Sequence, residues 1–114
     1  MFKTLRNWWK IRQIAPVELQ AWLSRGDSLL LLDVRHVEEY DYHGHIRQAI
    51  LMPLATLSET YHTLTLDLPI VCVDRAGQRS QKACELLLDY GFIEVLNLAG
   101  GMQAWRKAGL PIER

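Results

Sequence analysis

The stretch with the clearest chemical potential is residues 70–80, IVCVDRAGQRS. Four apolar residues read as a strand; Asp74, Arg75, Ala76, Gly77, Gln78 and Arg79 follow as a tight loop, and a helix opens near Ser80. A short loop feeding a helix N-terminus points several backbone N–H groups into one small space, where the helix dipole adds positive potential. Arg79 sets a guanidinium at the rim, so the segment has the makings of an anion cradle. Asp74 is placed to accept hydrogen bonds from the loop's own N–H groups and to fill that space with its carboxylate. We therefore expect a cradle capped from within.

Two cysteines could supply a thiol. Cys72 precedes Asp74 by two residues, on the same nominal face but about 6.5 Å of strand rise away. Cys84 falls on the apolar stripe of the following helix. Both are expected to be buried and inert, as free cysteines commonly are. With no C-x-x-C and no paired histidine motif, a zinc ribbon or disulfide framework is excluded, and a reducing compartment fits.

Asp33 and Arg35 end an earlier strand on the same ligand-side edge. They either back the loop or fix their own strand–helix turn, with Glu39 four residues beyond Arg35; we favour turn-fixing. His43 and His45, with His36 and Asp41 near, lack a defined third ligand, so no metal is expected. Trp22 and Trp105 lie on apolar helical stripes and read as core. Arg75, exposed by its position, faces either a partner or water.

The elements that must hold these residues alternate. Apolar runs at 28–33, 70–73 and 94–98, and a weaker one at 49–52, are apolar on both faces, as buried parallel strands are. Leu19, Trp22 and Leu23 follow Pro16 at helical spacing, and Gly26 stops that helix. Leu57, Tyr61 and Leu64 give a second helical stripe. Over 80–90, Gln81, Glu85 and Asp89 oppose Ala83, Cys84, Leu87 and Leu88, with Gly91 as the left-handed stop. A last helix runs from about Met102 to Lys107 and ends at Gly109, with Pro111 beyond. Such alternation predicts a parallel sheet with right-handed crossovers and helices on both faces.

The bulk properties agree with one soluble domain. The chain has 114 residues, 49% hydrophobic and 23% charged, with 13 basic and 13 acidic side chains. Zero net charge offers no global field for nucleic acid. No apolar run approaches the roughly 18 residues of a membrane span, and basic residues interrupt the N-terminus where a signal peptide would be apolar. A cytoplasmic protein is expected.

Residues 1–13 form a distinct basic segment, ahead of a domain spanning 14–114. Phe2, Leu5, Trp8 and Trp9 share one arc of a helical wheel and Lys3, Arg6 and Lys10 the opposite one. Something must cover those tryptophans. The domain's own surface is favoured, then a partner or homodimer mate, and last a membrane surface.

Three ordered stretches carry a resemblance. The loop resembles the active-site loop of the rhodanese family, Cys-Arg-x-Gly-x-Arg-Ser, with Asp74 at the cysteine position. LLLLDVRHVEEYDYHGHI (29–46) is similar to the family's strand, Asp-Val-Arg and Gly-His-Ile segments, and NLAGGMQAWRKAGLPIE (97–113) to its Gly-Gly-x-x-Ala-Trp segment. Where the family continues Gly-His-Ile with Pro-Gly-Ala, this chain has Arg47, Gln48 and Ala49. The resemblance implies a rhodanese-like three-layer α/β fold, a central parallel sheet flanked by helices on both faces.

Active members use the loop amides to lower the cysteine pKa, and the thiolate then takes up sulfur as a persulfide. Asp74 has no thiolate. The expectation is thus a catalytically inactive module that binds or scaffolds through the loop face, with no cofactor. The alternative is sulfur transfer from Cys72 or from a thiol that a partner supplies. Hydrolysis with Asp74 as nucleophile ranks lowest, because no metal or paired acid–base group is visible. The loop is also one residue shorter than that of the phosphatases resembling this fold, which argues against phosphatase activity.

Overall fold

The computed structural model describes residues 8–114. Phe2, Lys3, Leu5 and Arg6 of the amphipathic segment lie outside the described residues. Its visible part, Trp8–Lys10, is a single 3-10 turn. The Trp8 indole N–H donates to Asp89 at 3.3 Å, so this turn rests on the domain's own surface, while Trp9 stays exposed.

The chain then runs β1 (Arg12–Ile14), α1 (Pro16–Arg25), β2 (Leu30–Asp33), α2 (Val37–His43), β3 (Ile50–Leu51), α3 (Leu57–Thr60), β4 (Ile70–Val73), α4 (Gln78–Asp89), β5 (Val95–Leu98) and α5 (Gly101–Lys107). The five strands form one sheet in the order β1-β5-β4-β2-β3, and every pairing is parallel. Parallel neighbours need crossovers that cover the faces, and β4 and β5 are buried along their whole length accordingly.

The pleat divides the core in two. Leu31, Val71, Val73, Leu96 and Leu98 face one way, into a cluster with Leu19 of α1 and Met102 and Trp105 of α5. Leu32, Ile70, Cys72 and Val95 face the other way, against Leu57 of α3 and Ala83, Cys84 and Leu87 of α4. Trp105 is fully buried and its indole donates to the Pro111 carbonyl at 2.8 Å. Trp22 is half-buried against the same cluster.

Three features differ from the sequence reading. β1 has no apolar run behind it: Arg12 and Gln13 are exposed and only Ile14 enters the core. These two residues therefore belong to the sheet. The α2 helix went unassigned because it buries none of its residues fully, so no stripe marks it. The stripe at Leu57, Tyr61 and Leu64 is one turn of α-helix continued by a 3-10 turn over Tyr61–Thr63. Among the described residues no helix is long and apolar enough to cross a membrane.

Candidate functional site

The Asp74 loop lies at the carboxyl end of β4, between that strand and α4. Gly77 caps α4 with φ at +104°, a left-handed conformation that lets the chain fold back over its own carboxylate. Asp74 is 2% exposed. Its Oδ1 accepts from the Gly77 N–H, and its Oδ2 accepts from the N–H groups of Arg79 at 2.6 Å and Ser80 at 3.2 Å. The Arg79 Nε stands 3.7 Å from the same oxygen. The cradle is thus filled by its own first residue.

The outer side of the loop is held as firmly. The N–H groups of Met102 and Gln103, in the first turn of α5, donate to the carbonyls of Asp74 at 2.8 Å and Arg75 at 3.0 Å. From β5, the Asn97 side-chain amide donates to the Gly77 carbonyl at 3.1 Å, and the Ser80 hydroxyl donates to Asn97 Oδ1. Asn97 is 3% exposed and was missed in the sequence, where it was counted within the 94–98 strand run.

Arg79 does not point freely at the rim. Its guanidinium makes a two-point pair with Glu39 of α2, at 2.7 and 2.8 Å. Glu39 also accepts from the His36 N–H at 3.1 Å, closing the capping box at the start of α2. The Arg79 hydrogen bond, helped by that backbone bond and against partial burial, holds the Glu39 carboxyl down from 4.5 to about 2. The same carboxylate raises Arg79. Glu39 therefore serves the loop helix and not Arg35, its expected neighbour.

Arg35 turns to Asp33 instead. Its Nε and Nη2 donate to the two Asp33 oxygens at 2.8 and 2.7 Å, and Nη2 also donates to the Gly44 carbonyl at 2.8 Å. Both side chains are essentially buried, and with these bonds they fix the β2–α2 junction.

The cysteines are buried and unbridged. Cys72 is in contact with Cys84. That contact first, then burial, then the Asp74 charge push the Cys72 thiol well above its usual value. Cys84 donates its S–H to the Leu96 carbonyl at 3.3 Å. His43 and His45 diverge: His45 stacks on the Tyr40 ring at 3.7 Å, whereas His43 lines a cavity between α2, the loop and α5. Among the described residues no three His, Cys, Asp or Glu side chains are grouped to hold a metal.

Two openings adjoin the loop. A cavity of about 230 Å³ lies directly on it, lined by Asp74, Arg75, Ala76, Gln78 and Arg79. Beside it a cavity of about 470 Å³ is lined by Arg35, Glu39, His43, Arg75, Gln103 and Arg106, with Met102 also contributing.

Comparison with known proteins agrees with this architecture. The model of the rhodanese-like domain matches residues 15–108. A sulfurtransferase of Allochromatium vinosum is 33% identical over 102 residues, covering 90% of this chain and 94% of that protein. Among solved structures, a rhodanese-related protein of Thermoplasma volcanium superposes with a TM-score of 0.81 at 28% identity, covering 90% of this chain and 97% of the other. A rhodanese-like domain protein of Staphylococcus aureus does so with 0.78 at 31% identity, over 91% and 100%. With its parallel sheet, its strand–loop–helix cradle and the family match over most of its length, this chain belongs to the rhodanese-like domain family.

Proposed function

We propose that this domain is a non-catalytic rhodanese-like module that binds through its loop face, with Asp74 standing at the position the family's sulfur-carrying cysteine occupies. The observation that carries the reading is the Asp74 carboxylate accepting three backbone N–H groups of the loop. Those donors would otherwise lower a cysteine pKa or hold an oxyanion, and here they are spent on a side chain that cannot form a persulfide. Hydrolysis through Asp74 is disfavoured too, since the carboxylate is 2% exposed and three N–H bonds draw on its negative charge, leaving a weak and shielded nucleophile.

One observation favours a second reading. The Allochromatium relative is named a sulfurtransferase, and the likeness runs through 94% of it. Sulfur transfer by this chain would then use a thiol that a partner brings to the loop. Cys72 is poorly suited to the task, being fully buried with its thiol pushed up. The discriminating experiment is incubation with thiosulfate, with and without an added low-molecular-weight thiol to stand for the partner's, followed by intact mass measurement and a cyanide turnover assay. No gain of one sulfur atom and no thiocyanate supports the binding module. A stable adduct would sink it.

A further inference from the structure

Opposite the loop, at the amino-terminal end of the sheet, two cavities lie side by side. One, of about 430 Å³, has an apolar floor of Leu23, Ile46 and Ile112; the other, of about 120 Å³, has Leu29, Leu31 and Ile50. Leu23 and Gln48 line both and so mark where the two meet. Gln48 holds φ at +76°, and among the described residues no other non-glycine residue has a positive φ. Outliers of this kind gather at ligand clamps, where the surrounding structure enforces them. Gln48 is exposed, and its side-chain amide has no hydrogen-bond partner among the described residues. The charges in the walls are already balanced. Arg47 faces Glu113 at 3.7 Å, and Asp27 is paired with Arg25 at 2.6 Å.

We propose that this double cavity is a docking groove for an extended, uncharged peptide segment of a partner protein, read by Gln48. A primary amide both donates and accepts, so its end matches the N–H and C=O that an extended peptide presents. Side chains two residues apart in such a peptide point the same way, about 6.5 Å from each other. Apolar ones at that spacing enter the two cavities while the main chain between them meets Gln48. The balanced walls offer a charged segment no counter-charge, and the apolar floors would leave its charge unpaired. Glycine at position 48 would relax the backbone but remove the amide, so stability and recognition are opposed at this one residue. The groove lies at the other end of the sheet from Asp74 and stands whether or not the loop carries sulfur.

The probe is the blocked peptide acetyl-Leu-Ser-Leu-amide, titrated at millimolar concentration into the isotope-labelled full chain and followed by NMR. Acetyl-Glu-Ser-Glu-amide is the charged control. Saturable shifts are expected at the methyl groups of Leu23, Ile46, Ile50 and Ile112 and at the Gln48 side-chain amide, with none from the control. Gln48→Gly should weaken binding about fivefold to tenfold, the effect of losing one or two neutral hydrogen bonds. The same variant should melt above the wild type, which separates lost recognition from lost folding. Absent or unsaturable shifts, equal shifts from the charged control, or undiminished binding in Gln48→Gly overturn the proposal. If these resonances move with protein concentration alone, a second copy of the chain fills the groove, and the peptide is overturned as its occupant.

Discussion

The carbonyl oxygen of Asp74 lies 2.5 Å from the point where a Cβ on Gly101 would stand. The backbone of Arg75 is almost as close, at 2.6 and 2.7 Å, and Gly101 itself has φ at +57°. The first turn of α5 can thus reach the loop carbonyls only if residue 101 has no side chain. Gly101→Ala should destabilise the domain by about 3 kcal/mol, combining left-handed strain with a backbone collision. Urea unfolding checks this, and a loss below the effect of an ordinary surface substitution would contradict the close approach.

The Glu39–Arg79 pair predicts a pH signature. A carboxyl depressed to about 2 stabilises the fold fully above its ordinary value of 4.5, and this contribution disappears as the pH falls toward 2. The pair is partly exposed, so after solvent screening Glu39→Gln should cost about 1 kcal/mol at neutral pH. The gap between wild type and variant should close progressively below pH about 4.5. A gap that stays constant down to acid would show that the charge on Glu39 is not what matters.

Gln48 is the one non-glycine residue with positive φ among the described residues, at +76°. It sits in the turn before β3, at the position of the glycine in the Pro-Gly-Ala pattern of the resemblance. Gln48→Gly should raise stability by about 0.5–1 kcal/mol, the left-handed penalty relieved being offset in part by the greater unfolded-state entropy of glycine. Thermal melting provides the test.

Both thiols should resist native labelling. Cys72 and Cys84 are fully buried, and Cys72 is pushed further from ionisation by its neighbour. Modification by a thiol reagent should follow global unfolding, with the same dependence on urea. Rapid labelling in the folded state would revive a sulfur-transfer role for Cys72.

Chemical rescue probes the loop directly. In Asp74→Cys the N–H groups of Gly77, Arg79 and Ser80 remain in place, so the new thiol should titrate below the reference value of about 8.5 and take up sulfur from thiosulfate. The lost carboxylate bonds should cost about 1.5–3 kcal/mol, partly recovered by the thiolate. A folded variant with an ordinary thiol pKa and no adduct would show that the pocket has diverged at more than this residue.

Much of this architecture was legible because burial writes itself into sequence. β4 and β5 are apolar on both faces, and α1 announces itself by Pro16 and Gly26. The loop chemistry followed from Gly77 and the helix behind it. What escaped notice depends on distant partners. β1 is three residues long and is ordered by pairing with β5, more than eighty residues away. The roles of Glu39 and Asn97 are set by contacts across the chain, Glu39 reaching Arg79 from forty residues away. An i, i+4 spacing to Arg35 suggested the wrong partner, because Arg35 is drawn into the interior by Asp33.

The main chain at position 74 is gripped through its carbonyl by α5, independently of what its side chain does. This makes the position a socket whose occupant can change without rerouting the polypeptide. The side chain there can be exchanged while the scaffold that grips its main chain persists.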